Sequence, residues 1–285
     1  MSRQQKIGYS LQNNYCLPMP QVLQLLRSAG FDGISPVWQS SQQVQQVAEA
    51  ADKMGLILQS LHGSLSGTAS LWTAQPDSPT LQELMQGIED CRRLGIPVLV
   101  VHPWAGLQYD FPGVCSHVQQ LDRLVEFAAA KNVRIAFENL EGHEFLELVL
   151  DRYRDTATVG YCWDSGHEIC YARNKDYLAL YGDRLLMTHL NDNMGITRPD
   201  GQMQGKDDMH LIPGDGISDW AENVRRLKQA KPQEILNFEL KQFPKTKYNM
   251  VGRYDRLPLE EFIRRAYAAA RSIADAYGAI DEVTP

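Results

Sequence analysis

Eight short apolar runs recur along the 285-residue chain, separated by stretches with helical spacing. The runs predict strands at residues 6–10, 32–35, 56–62, 97–102, 133–139, 158–164, 184–190 and 235–240. Between them, apolar residues recur at i, i+3, i+4 and i+7, as in the stripe that begins at Val22 and ends at Gly30. Strands that alternate with helices form a parallel sheet, and eight repeats are typical of closure into a (β/α)8 TIM barrel. We therefore expect an α/β fold with residues 1–285 in a single barrel domain.

Six of the predicted strands have an ionisable residue at their last or next-to-last position. These residues are His62, His102, Glu138, Asp164, His189 and Glu239. A hydrophobic strand has no structural need for an imidazole or a carboxylate at its end, whereas a parallel barrel builds its active site at the carboxyl ends of its strands. So many imidazoles and carboxylates at one mouth predict a site for a divalent metal and for acid–base chemistry.

Composition restricts the classes of partner and the cellular compartment that we expect for this protein. The formal net charge of −7 argues against nucleic acid, which favours a basic surface. Five cysteines without CxxC spacing indicate a reducing compartment. The apolar runs are too short to cross a membrane, and the start of the chain is too polar for a signal peptide. We expect a cytoplasmic protein without a membrane or nucleic-acid partner; the sequence leaves the oligomeric state open.

Five motifs follow one another in a characteristic order: AFENLE, CWDSGH, THLNDN, DDMHLIPGDGISDW and FELK. Together they resemble the sugar phosphate isomerase/epimerase family of the xylose-isomerase-like TIM-barrel superfamily, over roughly residues 6–275. The resemblance implies that one divalent ion (Mn, Mg, Zn or Co) is bound by Glu138, Asp164, His189 and Glu239. It also implies that Glu138 and Glu239 exchange the substrate proton from opposite faces, and that His167 contacts a substrate oxygen.

The expected chemistry explains why these residue types are needed. Removing a proton from a carbon next to a carbonyl is slow in water because the resulting enediolate is unstable. A divalent cation that binds the carbonyl and the adjacent hydroxyl spreads this negative charge. A glutamate on each side of the substrate removes and returns the proton. The expected function is therefore that of a metal-dependent isomerase or epimerase acting on a small sugar or sugar phosphate.

Four further residues are candidates for substrate binding. His62 and His102 each fit a metal ligand, a brace for Glu138 or a neutral core imidazole. His210 lies in the motif DMHLIPGDG. Trp104 follows the fourth predicted strand, where its ring would form a pocket wall against the apolar face of a sugar.

A second resemblance leaves a hydrolytic alternative open. Nine residues match the trinuclear zinc pattern of the AP endonucleases: His62, His102, Glu138, Asp164, His167, His189, Asp208, His210 and Glu239. This resemblance implies additional zinc at His62, His102, Asp208 and His210, with a bridging hydroxide as nucleophile. The acidic net charge, and the lack of a basic and aromatic set in the early loops, favour the isomerase.

Two non-hydrolytic alternatives also stand beside the epimerase interpretation. The ketose 3-epimerases carry an arginine six residues after the histidine of the seventh strand, where this chain has Gly195. That departure leaves room for a dehydratase of the inosose or dehydroshikimate type, which uses the same metal and enolisation. A barrel that only binds a sugar is the remaining class, and the complete ligand set argues against it.

Two long connections lie beyond the last two strands. Segment 191–217 is rich in Gly, Asp and Asn and has no periodicity. We expect it to act as a lid that brings His210 towards the metal when substrate binds. Segment 241–257 is expected to add basic and aromatic groups to the same rim.

Overall fold

A computed structural model of the chain describes residues 4–13, 15–64, 67–171, 175–242, 254 and 256–279. The strands in these ranges are β1 (Lys6–Ser10), β2 (Gly33–Ser35), β3 (Ile57–Leu58), β4 (Leu61–His62), β5 (Val98–Val101), β6 (Arg134–Glu138), β7 (Val159–Asp164), β8 (Leu185–His189) and β9 (Ile235–Phe238). The α-helices are α1 (Met19–Ala29), α2 (Ser41–Lys53), α3 (Pro79–Leu94), α4 (Phe111–Val114), α5 (Gln119–Lys131), α6 (His143–Arg152), α7 (Ser165–Tyr171), α8 (Tyr177–Tyr181), α9 (Trp220–Gln229) and α10 (Leu259–Gly278). Short 3-10 helices span Thr68–Trp72 and Gly182–Arg184.

The strands form two parallel sheets, in the orders β3-β2-β1-β9 and β4-β5-β6-β7-β8. Parallel bridges between Val37 and His62 and between Leu190 and Phe238 join these sheets at both ends. Because β3 and β4 are consecutive pieces of one barrel strand, the closed ring has eight strand positions. The predicted α/β class and (β/α)8 TIM barrel are confirmed.

The third barrel strand differs from the prediction, because it is split into β3 and β4 instead of running unbroken over 56–62. The break lies opposite Pro36, which follows β2. Proline has no amide hydrogen to donate to a neighbouring strand, so the ladder stops there. Pairing resumes at the bridge between Val37 and His62, where the amide of His62 donates to the carbonyl oxygen of Pro36 and the amide of Trp38 donates to the carbonyl oxygen of His62. Strand β1 has the predicted bounds, and each of the other predicted strands contains an observed strand that is shorter by one or two residues.

Local signals in the sequence determine where the helices begin and end. The side chain of Ser78 accepts a hydrogen bond from the amide of Leu81, and Pro79 occupies the first turn of α3. This helix ends at Gly95, whose φ of 69° lies in the left-handed region that favours glycine. The last helix, α10, begins directly after Pro258. Both helix starts and the Gly95 stop agree with the sequence.

None of the described helices combines the length and the apolar character needed to cross a bilayer. Most of segment 241–257, which was expected to add groups to the rim, lies outside the described residues.

Candidate metal centre

The alternation of side chains along the strands explains how the site is built. A small buried cluster inside the barrel consists of Val98, Val100, Ala136, Cys162 and Met187. Two positions beyond the last four of these residues come His102, Glu138, Asp164 and His189. Residues two apart on a strand project to the same face. The inward-facing apolar positions therefore give way to imidazoles and carboxylates at the carboxyl ends of the strands.

Three of these side chains and that of Glu239, which follows β9, converge on one point. The ligand atoms of Glu138, Asp164, His189 and Glu239 all lie within 4.8 Å of one another. The Nδ1 of His189 is 2.9 Å from Oε1 of Glu138 and also 2.9 Å from Oε2 of Glu239. A ring nitrogen carries at most one hydrogen, so it cannot satisfy both carboxylates. Three buried carboxylates around one imidazole are a donor set that fits a divalent cation.

The pKa shifts of the clustered carboxyl groups also indicate a cation site. Burial raises the pKa of the Asp164 carboxyl above its ordinary value, and the negative charges of Glu138 and Glu239 raise it further, while the imidazoles of His167 and His210 oppose the rise. Burial also acts to raise the pKa of Glu138, but the charge of His189 and hydrogen bonds from surrounding imidazoles bring it well below its usual range. A bound cation would stabilise carboxylates that are crowded together in this way.

Two asparagines hold the ligands in place. The side-chain amide nitrogen of Asn191 lies 2.9 Å from each oxygen of the Asp164 carboxylate. The Asn139 side chain accepts a hydrogen bond from the Asp164 amide at 2.8 Å and donates to the Asp164 carbonyl at 2.8 Å. Partners of this type orient ligand side chains before a metal binds.

A second group of ligand-type atoms surrounds the other oxygen of Glu138. The Nε2 atoms of His62 and His102 lie 3.1 Å and 3.2 Å from its Oε2. The Nδ1 of His62 is 2.9 Å from the carbonyl oxygen of Gly63 and must donate to it. In a neutral His62 the Nε2 atom therefore carries a lone pair, which suits a metal ligand. Glu138 is thus positioned between two groups of imidazoles.

A third group is formed by His167, Asp208 and His210. The Nε2 atoms of His167 and His210 lie 3.2 Å and 2.7 Å from Oδ1 of Asp208, and none of these three atoms has a hydrogen-bond partner. Both rings direct Nδ1 to a backbone carbonyl, of Asn139 and of Glu239, respectively. In the neutral rings the two Nε2 lone pairs would face a carboxylate oxygen. This contact requires a second proton on the imidazoles or a cation between them.

The loop after β8 carries His210 into this position. The side-chain oxygen of Asn193 accepts hydrogen bonds from the amides of Met209 and His210. An antiparallel bridge pairs Asp192 with Leu211 on the other side. His210 itself has a φ of 49°, a left-handed conformation that is uncommon for a residue with a side chain and often marks functional positions. The closing motion expected of segment 191–217 stays a prediction.

A cavity of about 850 Å³ opens above the three groups. The residues of these groups that line it are His102, His167, Asp208, His210 and Glu239. Polar groups from the surrounding loops, among them Gln12, Gln108, Glu141 and Lys241, complete its wall. The size of this cavity and the polar side chains in its wall suit a small hydroxylated ligand.

Comparison with known proteins gives the family. The family described as "Xylose isomerase-like TIM barrel" matches residues 23–271. The chain belongs to this family. A curated relative, the uncharacterized protein y4fM of Sinorhizobium fredii (strain NBRC 101917 / NGR234), is 36% identical over 116 residues. That alignment covers 38% of this chain and 34% of the relative, so the chain matches about a third of that protein's length.

Solved structures of similar fold lie at low sequence identity. A xylose isomerase domain protein from Planctomyces limnophilus aligns with a TM-score of 0.73 at 14% identity, covering 96% of this chain and 98% of that one. D-psicose 3-epimerase from Clostridium cellulolyticum H10 aligns at 0.70 and 14%, covering 94% and 98%. The 3-keto-D-glucoside 4-epimerase of E. coli aligns at 0.70 and 17%, covering 94% and 100%. These matches show the xylose isomerase-like fold.

Most of the site residues expected from the sequence of this xylose isomerase-like barrel come together. The nine ligand-type residues occupy the three groups described above, with Glu138 shared by two of them. Trp104 is placed differently: its ring stacks on Phe145 with centroids 4.4 Å apart, and its Nε1 donates to the carbonyl of Gly106. It belongs to an aromatic cluster behind the cavity wall and is not among the described lining residues.

The sequence interpretation missed several supporting residues. Asn139, Asn191 and Asn193 each follow a strand end by one to four residues and hold a ligand or the His210 loop. The side chain of Asp192, in the same loop, accepts hydrogen bonds from Ser218, Gly214 and Trp220. The motif THLNDN contained this signal, since short amides and carboxylates just after a strand commonly brace a site.

Proposed function

We propose that this chain is a divalent-metal-dependent isomerase or epimerase that moves a proton next to the carbonyl of a small sugar. The observation that carries the proposal is the convergence of Glu138, Asp164, His189 and Glu239 within 4.8 Å, with Glu239 also lining the cavity of about 850 Å³. The names of similar structures, a D-psicose 3-epimerase and a 3-keto-D-glucoside 4-epimerase, support this class of reaction.

We also propose that residues 1–285 form one domain. The cytoplasmic location stays a prediction.

Each residue has a distinct part in this proposal. Glu138, Asp164, His189 and Glu239 would hold the ion. A cation in this position supplies positive charge to the carbonyl and adjacent hydroxyl oxygens as negative charge develops on them. Glu239 lines the cavity and is placed to take the proton from the substrate carbon. His167 and His210 also line the cavity, where they would position substrate oxygens.

The test is incorporation of solvent deuterium. The purified protein, loaded with Mn²⁺, is incubated in D₂O with a panel of aldoses, ketoses and their phosphates, and the sugars are analysed by NMR. We expect deuterium at the carbon next to the carbonyl of at least one sugar. Glu239→Gln should reduce this exchange by about 10²- to 10⁴-fold. Glu234→Gln, at the exposed start of the same strand, is the matched control.

A hydrolase of the AP-endonuclease type is the second candidate. It is favoured by the third group, in which three atoms of His167, Asp208 and His210 converge without hydrogen bonds. Together with the His62–His102–Glu138 group, this arrangement offers sites for additional zinc. Metal analysis of the purified protein separates the candidates. One ion per chain supports the isomerase, whereas two or three zinc ions with cleavage of an abasic-site oligonucleotide support the hydrolase.

A further inference from the structure

The loop after β1 contributes to two cavities at the mouth of the barrel. The first is the large cavity of about 850 Å³ above the metal centre, which Gln12 and Val37 line. The second, which we call the side pocket, has a volume of about 450 Å³ and is lined by the loops after β1 and β2, the start of α1 and the first part of α2. Asn13 lines both. The large cavity and the side pocket therefore share a wall at Asn13.

The side pocket differs from the large cavity in its chemistry. Four of its lining residues carry side-chain amides: Asn13, Gln39, Gln43 and Gln46. The others are apolar and include Met19 and Val47. None of the described residues that line the side pocket is charged, whereas Glu141, Asp208 and Lys241 line the large cavity. A carboxylate or phosphate group in the side pocket would lose its hydration without meeting an opposite charge, so this pocket suits a neutral ligand.

Helix α2 supplies one wall of the side pocket as a continuous stripe. The side chain of Ser40 accepts a hydrogen bond from the backbone amide of Gln43 and so starts the helix at the rim of the barrel. From there, residues at i, i+3, i+4 and i+7 lie on one face of the helix, and in α2 these are Gln43, Gln46, Val47 and Ala50. The stripe presents two amides and two apolar side chains to the same space.

The side-chain oxygen of Gln43 lacks a partner. This Oε1 atom is buried and has no hydrogen bond to any of the described residues. Buried polar atoms in folded proteins are nearly always paired, so an exception needs an explanation. A hydroxyl group of a ligand in the side pocket would donate the missing hydrogen bond.

Amides beside apolar side chains are suited to a sugar ring. Each side-chain amide offers one acceptor oxygen and two N–H donors, which matches the neighbouring hydroxyls of a sugar. Apolar side chains such as those of Met19 and Val47 can pack against the C–H face of the ring. A volume of about 450 Å³ lies in the range of small-molecule sites.

We infer that the side pocket binds a neutral glycosyl unit joined to the sugar that reacts in the large cavity, so that the substrate is a neutral disaccharide. The inference rests on the proposed function and specifies its substrate class. The reducing sugar, whose open form carries the carbonyl, occupies the large cavity. The glycosidic bond passes Asn13, and the second ring meets Gln43.

The test is a comparison of binding affinities that does not require turnover. The purified protein, loaded with Mn²⁺, is titrated in a calorimeter with glucose and with maltose, cellobiose, lactose and melibiose, which all have glucose at the reducing end. We expect at least one disaccharide to bind about 10-fold more tightly than glucose, a gain that one or two new hydrogen bonds supply. Equal or weaker binding of all four disaccharides overturns the inference.

Variants of α2 assign this gain to the side pocket. Gln43→Met keeps the length of the side chain but removes the amide, and it should lower the affinity for the disaccharide about 10-fold while leaving that for glucose unchanged. Gln46→Trp, at an exposed position that lines the pocket, should fill it and have the same effect. Gln42→Met, on the exposed face of the same helix, is the matched control and should keep the gain. A gain that survives in both Gln43→Met and Gln46→Trp overturns the inference.

Deuterium exchange separates this inference from the proposed function. Exchange into monosaccharides, with no gain in affinity for any disaccharide, overturns the side pocket and leaves the proposed function standing. A gain in affinity that Gln43→Met abolishes, with no exchange into any sugar, supports the side pocket and refutes the proposed function.

Discussion

The side-chain amide of Asn191 lies 2.9 Å from both oxygens of Asp164, so the amide holds this carboxylate in one orientation. The position of Asn191 is itself fixed by its backbone. Its carbonyl oxygen accepts a hydrogen bond from the hydroxyl of Ser165 at 2.7 Å, and its backbone N–H donates to the same hydroxyl at 3.0 Å. Ser165 directly follows β7, and Asn191 follows β8 by two positions. Their hydrogen bonds therefore connect the carboxyl ends of two adjacent strands.

Removing this contact should weaken metal binding. For Asn191→Ala we expect a fall in Mn²⁺ affinity of about 10- to 100-fold, because Asp164 loses the partner that orients it. Calorimetric titration of the purified variant with Mn²⁺ measures the change. Gln202→Ala, in an exposed part of the same loop, is the control and should bind as the unaltered protein does. Equal affinity in both variants would show that Asn191 does not act on the metal site.

Metal removal should lower thermal stability. Three buried carboxylates converge at this site, and a cation that binds only the folded chain stabilises it by about 2.7 kcal/mol at a free concentration of 100 Kd. For a domain of this size, about 2–4 °C per kcal/mol gives a rise in melting temperature of roughly 5–10 °C. Scanning calorimetry with EDTA and then with excess Mn²⁺ measures it. A melting temperature unchanged by either treatment contradicts the metal site.

Gly166 is expected to tolerate no side chain. A Cβ atom at this position would lie 1.9 Å from Oδ1 of Asn191 and 2.3 Å from Nδ2 of Asn193, so the amides that brace Asp164 and the His210 loop would have to move. We expect Gly166→Ala to destabilise the fold by about 1–3 kcal/mol and to weaken Mn²⁺ binding. Urea unfolding and metal titration measure the two effects. Gly278→Ala, where the added carbon meets Gln5 at an ordinary 3.6 Å, is the control, and equal behaviour of the two variants would refute the prediction.

Asp192 should be a stability determinant of the loop that carries His210. Its carboxylate accepts hydrogen bonds from the hydroxyl of Ser218 at 2.7 Å, the amide of Gly214 at 2.9 Å and the indole of Trp220 at 3.1 Å. Asp192→Ala leaves these donors without a partner, and we expect a loss of about 2–4 kcal/mol in the free energy of unfolding. Asp192→Asn, which keeps one acceptor oxygen, should lose less. Urea titration ranks the two variants, and an equal loss would indicate that Asp192 contributes mainly by packing.

Much of the fold and of the ligand set could be predicted from the sequence because both follow simple periodicities. Apolar strands separated by helical stripes specify the barrel, and a His, Asp or Glu at a strand end is unusual enough to mark the site. Glu138, Asp164 and His189 were therefore found from the sequence as residues at the last positions of their strands.

Other features depend on three-dimensional contacts that no local pattern encodes. The unequal exposure of Glu138 and Glu239 arises from four imidazoles supplied by distant parts of the chain. Trp104 follows a strand as a pocket residue would, yet Phe145, from α6, offers its ring a stacking partner. The position of His210 depends on hydrogen bonds to Asn193, 17 residues earlier.

The most direct test of the metal centre is the anomalous difference map of crystals grown with Mn²⁺. The account predicts a peak about 2.0–2.3 Å from the ligand atoms of Glu138, Asp164, His189 and Glu239. Further peaks beside His62 and Asp208 would favour the hydrolytic candidate. A map with no peak among those four side chains would contradict the central claim that they hold a divalent ion.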